Sequence, residues 1–191
     1  MKNERYSTPA ILLHWAIAAL IFALVVLGWW MQDLPKQPPG LRADMFNLHK
    51  SFGLVALAFI IAMIAWRFSH TPPPLPPMPP WQARLAKAMH LVLYVLIVAV
   101  AVSGYLGSVY SGFPVKFFGV RLPAWAASNP DLKELMSQIH YWGSWLLTAA
   151  VLLHIGAVVR HTFVNRDALL RRMGWGAGPI DAGATSALPE E

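Results

Sequence analysis

Residues 138–161, QIHYWGSWLLTAAVLLHIGAVVRH, leave this chain few ways to fold. The stretch is 24 residues long and apolar, and about 20 such residues cross a bilayer as one helix. His140 and His154 lie within it, fourteen residues apart. At 100° and 1.5 Å per residue, that spacing returns them to within about 40° of one face and separates them by about 21 Å in depth. One helix therefore carries an imidazole near each membrane surface. An ionisable side chain inside a span is costly and signals function.

Composition agrees with a membrane class. The chain is 57% hydrophobic and only 13% charged, against about 45–50% and about 25% in soluble domains. Nine Trp and nine Phe suit interfacial aromatic belts. The net charge of +6 sits in the short segments between apolar runs, which is a topology signal and not a nucleic-acid footprint. Without cysteine there is no disulfide, iron–sulfur cluster, thiolate site or covalent c-type haem. The first apolar run is too long for a cleavable signal peptide.

In order, the chain predicts spans over about 9–31, 45–67, 85–110 and 138–161. Pro9 suits the first turn of span one, which holds His14. Four Pro or Gly residues among positions 32–44 make the first connection a loop. Span two carries His49 and Lys50 near its start and Arg67 at its end. Thr71–Pro80 has seven prolines in ten residues and reads as a semi-rigid connector. Span three has His90 near its start. The long connection 111–137 contains Asn129-Pro130-Asp131, a helix start that suggests a short surface helix over one mouth of the bundle. Residues 164–175 are basic and partly amphipathic, suiting a helix on the membrane surface. The Gly/Ala/Pro-rich residues 176–191 read as a disordered tail.

Four spans put both termini on one side. Of the 15 Lys and Arg residues, nine fall on that side and six on the other (Lys36, Arg42, Lys50, Lys116, Arg121, Lys133). The positive-inside rule then predicts cytoplasmic termini in a bacterial inner-membrane protein. His14 and His154 become the inner pair and His49 and His140 the outer pair. His154 lies six residues from Arg160 and His14 nine from Arg5, about 9–14 Å deep, and His49 and His140 lie five and six residues from Asp44 and Glu134.

The metals to weigh are zinc, copper and haem iron. Structural zinc wants four ligands in a tetrahedron, whereas each depth offers two histidines and no span holds a carboxylate. Two trans imidazoles suit a haem, whose porphyrin supplies the remaining nitrogens, and helix bundles build such sites from facing helices. Gly53, Gly143 and Gly156 follow the ligand histidines and are candidates for admitting a macrocycle, although membrane helices use small residues in packing too. The bland reading of any one membrane histidine is an interhelical hydrogen bond; four matched in depth argue against it. His90 is a rival inner ligand, a quinone contact or an interfacial residue. His161 and His70 read as solvated. Lys50 and Arg67 are candidate haem-propionate contacts on position alone.

The motifs LLHWAIA (12–18), NLHKSFG (47–53), AMHLVLY (88–94), FFGVRLP (117–123) and IHYWGSWLL…LLH in the last span resemble the bacterial di-haem cytochrome b561 family, over nearly all of residues 7–172. The resemblance implies an all-α membrane protein, a four-transmembrane-helix bundle holding two haem b. His14, His49, His140 and His154 match the family's axial ligands. It also implies electron transfer across the membrane between a periplasmic donor, superoxide in the best-known member, and ubiquinone. Other relatives are non-catalytic haem-carrying subunits of partner dehydrogenases. The expected partners are the lipid bilayer, quinone, and superoxide or a periplasmic redox protein, with no nucleic acid. The enzyme and subunit readings stay open at this stage. A divalent-metal permease is disfavoured, because no acidic residue lies in a span.

Overall fold

The computed structural model describes residues 5–37, 40–165 and 169–175. Its architecture is a membrane bundle of four helices: α1 (Thr8–Asp33), α2 (Leu41–Ser69), α3 (Pro80–Val109) and α4 (Pro130–Phe163). A two-stranded hairpin, β1 (Lys116–Phe117) and β2 (Val120–Arg121), and a four-residue α5 (Leu169–Arg172) complete the elements. All four long helices are apolar and long enough to cross a membrane. Even the shortest, at 26 residues, spans about 39 Å against about 30 Å of hydrocarbon.

Proline sets most of the boundaries. Pro9, Pro80 and Pro130 occupy first-turn positions, where their missing N–H costs nothing. α1 ends at Asp33 and Leu34 is extended before Pro35, as a residue preceding proline prefers. Arg42 then closes that end, its guanidinium donating to the carbonyls of Met31, Gln32 and Leu34 at 3.1, 2.6 and 2.8 Å. These are carbonyls that the last helical turn leaves without partners.

The helices outrun the expected spans because composition marks only their apolar middles, while the polar ends stay helical at the interface. The Asn129-Pro130-Asp131 signal starts α4 itself, with the Asn129 side chain accepting from Leu132 N at 3.0 Å. A separate surface helix before α4 is therefore absent among the described residues. Over 164–175 the described helical residues are Leu169–Arg172; 166–168 and the expected tail 176–191 lie outside the described residues.

Packing follows chain order: α1 lies against α2, α2 against α3, and α3 against α4, while neither α1 nor α2 packs its backbone closely along α4. The buried core is a single apolar layer of Ile17, Ile60, Met63, Ile97 and Leu147, drawn from all four helices. Outside it the helices present apolar side chains such as Leu12, Phe22 and Leu152, the surface a lipid-facing helix shows. Leu147 lies midway between His140 and His154 on α4, so this layer separates two ends of the bundle.

The hairpin is pinned to α2 by Ser51, which is 1% exposed. Its hydroxyl donates to Asn47 O at 2.8 Å and accepts from Phe118 N at 2.9 Å. Phe118 and Gly119 both take positive φ (46° and 90°), closing the tight turn between the strands. The Phe118 ring meets Phe52 edge-on at 5.2 Å.

Candidate haem sites

Each end of the bundle holds a facing pair of imidazoles. His49 of α2 lies opposite His140 of α4 with ring centres 6.1 Å apart and planes at 85°. His14 of α1 lies opposite His154 of α4 at 6.4 Å and 63°. Both pairs bridge the helix combinations whose backbones stand apart, so the side chains meet across open space. With metal–nitrogen bonds of about 2.0–2.1 Å, two imidazoles on opposite sides of one metal have ring centres about 6–6.5 Å apart. Among the described residues no group of three or more His, Cys, Asp or Glu is placed to hold a metal ion. The metal chemistry on offer is thus that of paired histidines.

The His49–His140 pair is braced from neighbouring helices. His140 Nδ1 lies 2.8 Å from Val100 O of α3. A carbonyl only accepts, so Nδ1 carries the proton and Nε2 keeps its lone pair for a metal. Gly104, one turn beyond Val100, leaves that carbonyl uncovered; a Cβ there would stand 2.7 Å from His140 Nδ1. Gly28 of α1 plays the matching part for His49, where a Cβ would lie 3.3 Å from Cε1. His49 Nδ1 is buried without a hydrogen-bond partner. Such orphaned polar atoms are rare in a settled interior and mark a site built for something more.

The glycines singled out from sequence divide differently. A Cβ at Gly143 would meet Val100 Cγ2 at 3.0 Å, so Gly143 serves the packing of α4 on α3. Gly53 and Gly156 face open space, with nothing within 4 Å. Gly28 and Gly104 escaped notice because they sit on helices other than the histidines they touch. A membrane helix glycine gives no sign in the sequence of which imidazole it faces.

The remaining predicted residues fall around these pairs. His90 is exposed, holds its own helix through Nδ1 to Ala86 O at 2.7 Å, and meets the His154 ring edge-on at 5.4 Å. It thus stands beside the His14–His154 pair. Lys50 lines a cavity of about 380 Å³ with Phe46, Lys116 and Arg121, at the end of the bundle that holds His49. Arg67, at the opposite end, lies over the Tyr6 ring at 4.9 Å. His70 stacks flat on Trp66, ring centres 3.7 Å apart. His161 Nδ1 lies 3.2 Å from Asn165 Nδ2.

The family profile of prokaryotic cytochrome b561 matches residues 5–176. The chain belongs to the prokaryotic cytochrome b561 family. Cytochrome b561 homolog 2 of Escherichia coli (strain K12) is 32% identical over 172 residues, covering 89% of this chain and 91% of the relative. Cytochrome b561 homolog 1 of the same organism is 28% identical over 183 residues, 89% of this chain and 97% of that protein. A Yersinia pestis protein called probable superoxide oxidase CybB is 27% identical over 173 residues, 90% and 96% of the two chains.

Membership makes this a multi-pass bacterial membrane electron-transfer protein that binds b-type haem. The donor sets fit that group: paired imidazoles at a ligand-to-ligand distance, across gaps between backbones, with one orphaned Nδ1 and, among the described residues, no competing carboxylate.

Proposed function

We propose that this cytochrome b561 holds two b haems, an outer one on His49 and His140 and an inner one on His14 and His154, with both termini in the cytoplasm. It would pass electrons from a periplasmic donor to the ubiquinone pool. The observation that carries this reading is the two facing imidazole pairs on either side of one apolar layer. Haem iron supplies the one-electron chemistry at both levels. The chain fixes the tautomer and orientation of His140 through the Val100 carbonyl and sets the burial around the imidazoles. His14, His49, His140 and His154 would hold the haems, so donors would exchange electrons without binding the iron.

Superoxide is the donor we favour. Two superoxide anions give two electrons, and one ubiquinone takes them with two protons to become ubiquinol and leave two molecules of dioxygen. Support comes from the outer cavity, where Lys50, Lys116 and Arg121 gather without an acid in its lining. Such a cluster raises the local concentration of an anion. The Yersinia relative's name points the same way. Lys50 is the cation we assign to a haem propionate. His90, exposed beside the inner pair, is the residue we assign to a quinone carbonyl, with its Nε2 free because Nδ1 is tied to Ala86.

A second reading is a haem-carrying subunit that docks a dehydrogenase or periplasmic redox protein. It is favoured by the exposed aromatics of the 111–137 segment, with Phe113 at 76% and Trp125 at 57%. Purified protein given superoxide and a ubiquinone analogue separates the two. Rapid haem reduction with ubiquinol formation supports the oxidase; no reaction, with a dehydrogenase co-purifying, overturns it in favour of the subunit.

A further inference from the structure

The end of the bundle where α1 begins has a cavity that the electron-transfer reading does not use. It measures about 710 Å³ and lies between the start of α1, the end of α2 and the first prolines of the connector. Its lining includes Arg5, Arg67 and His70 and, among the described residues, no acidic residue. The one ion pair among the described residues joins Lys133 to Glu134, on the other side of the protein. Arg67 keeps its Nε buried and without a hydrogen-bond partner, while its guanidinium lies over Tyr6. A guanidinium held against a ring with an unused donor is prepared for an oxyanion.

The walls are built and not accidental. Trp66 Nε1 donates to Ser7 Oγ at 3.0 Å, tying α2 to α1 across the cavity. His70 stacks on Trp66 and takes part in a 2.9 Å hydrogen bond between Nδ1 and Ser69 Oγ. The connector wall is latched by Arg172, 6% exposed, which donates to Pro74 O. The cavity lies where α1 begins, and the end of a helix long enough to span a bilayer falls near the lipid headgroups. Next to Arg67, Phe68 is 89% exposed and offers apolar surface for acyl chains. Basic pockets between helices at this depth recognise anionic headgroups, and the volume lies in the range of ligand sites.

We propose that this cavity binds the phosphodiester headgroup of an anionic phospholipid, with Arg67 and Arg5 holding the phosphate oxygens. Bound there, the lipid would join α1, α2 and the connector into one unit.

The test uses the full chain, purified in mild detergent and titrated with phosphatidylglycerol, phosphatidylcholine or inorganic phosphate. Thermal stability and native mass spectrometry report binding, and pyridine haemochrome reports haem content. The expected result is saturable stabilisation by phosphatidylglycerol, weak or none by phosphatidylcholine, and none by inorganic phosphate. Arg67→Gln and Arg5→Gln should each weaken the lipid's apparent affinity about fivefold, the worth of one basic side chain near an anionic headgroup. Exposed Arg5 keeps the test readable if Arg67→Gln does not fold. Equal stabilisation by the two lipids, or the same stabilisation by inorganic phosphate, overturns the proposal. So does an Arg67→Gln protein that retains lipid normally while its haem content falls, since the cavity's oxyanion would then be a propionate.

Discussion

His140 donates from Nδ1 to the carbonyl of Val100 at 2.8 Å, across the interface between α4 and α3. The contact exists because Gly104, one turn beyond, has no side chain over that carbonyl. Gly104→Ala would put a Cβ 2.7 Å from Nδ1, closer than atoms tolerate, and the ring must move. Losing such a bracing partner typically costs 10–100-fold in metal affinity. We expect Gly104→Ala to weaken the outer haem by about that factor and to shift its midpoint potential, leaving the inner haem intact. Gly107→Ala on the same helix, where the nearest contact is an ordinary 3.5 Å to Met136, should change neither. Redox titration of both variants reads the difference.

Ligand variants separate the two levels. His140→Ala should lose the outer haem alone and His154→Ala the inner haem alone, each halving the haem per chain. Equal loss of both haems from each variant would contradict the pairing. Difference spectra with haem quantitation distinguish these outcomes.

Much of this arrangement was legible before any coordinates. Apolar length marked the four long helices, and the 14-residue spacing in residues 138–161 put imidazoles at both ends of one face. The pairing of His49 with His140 followed from depth alone, because helical rise converts sequence distance from a flanking charge into position across the bilayer. The hairpin was not legible. Its turn places Phe118 at positive φ, a conformation that phenylalanine rarely takes and its sequence does not announce. It is held there by Ser51, 67 residues away. The brace on His140 was hidden for a related reason: its acceptor is a backbone carbonyl, which every residue has and no motif marks. The cavity beside Arg67 depends on three segments meeting, the start of α1, the end of α2 and the proline connector, and no single stretch encodes it.

Ser51 ties the hairpin to α2 two residues from His49. Ser51→Ala removes the acceptor for Phe118 N in a buried position, which costs about 1–3 kcal/mol. The expected result is a lower thermal midpoint with both haems retained, together with faster hydrogen exchange in residues 116–121. A protein as stable as the parent would mean that the hairpin is held by its aromatic contacts and not by the serine.

Charge at the outer cavity should set the rate with an anionic donor. Lys50, Lys116 and Arg121 act through space, so reduction by superoxide should slow as ionic strength rises toward and beyond 0.15 M, where screening reaches about 8 Å. Arg121→Gln and Lys116→Gln should each slow it several-fold at low salt and flatten the salt dependence. A rate indifferent to both salt and substitution would remove the steering role. Stopped-flow haem reduction is the measurement.

Haem stoichiometry of the purified chain bears on the central claim most directly, through a pyridine haemochrome assay against protein determined by amino-acid analysis. Two imidazole pairs predict two b haems per chain. One haem, or none, would contradict the account.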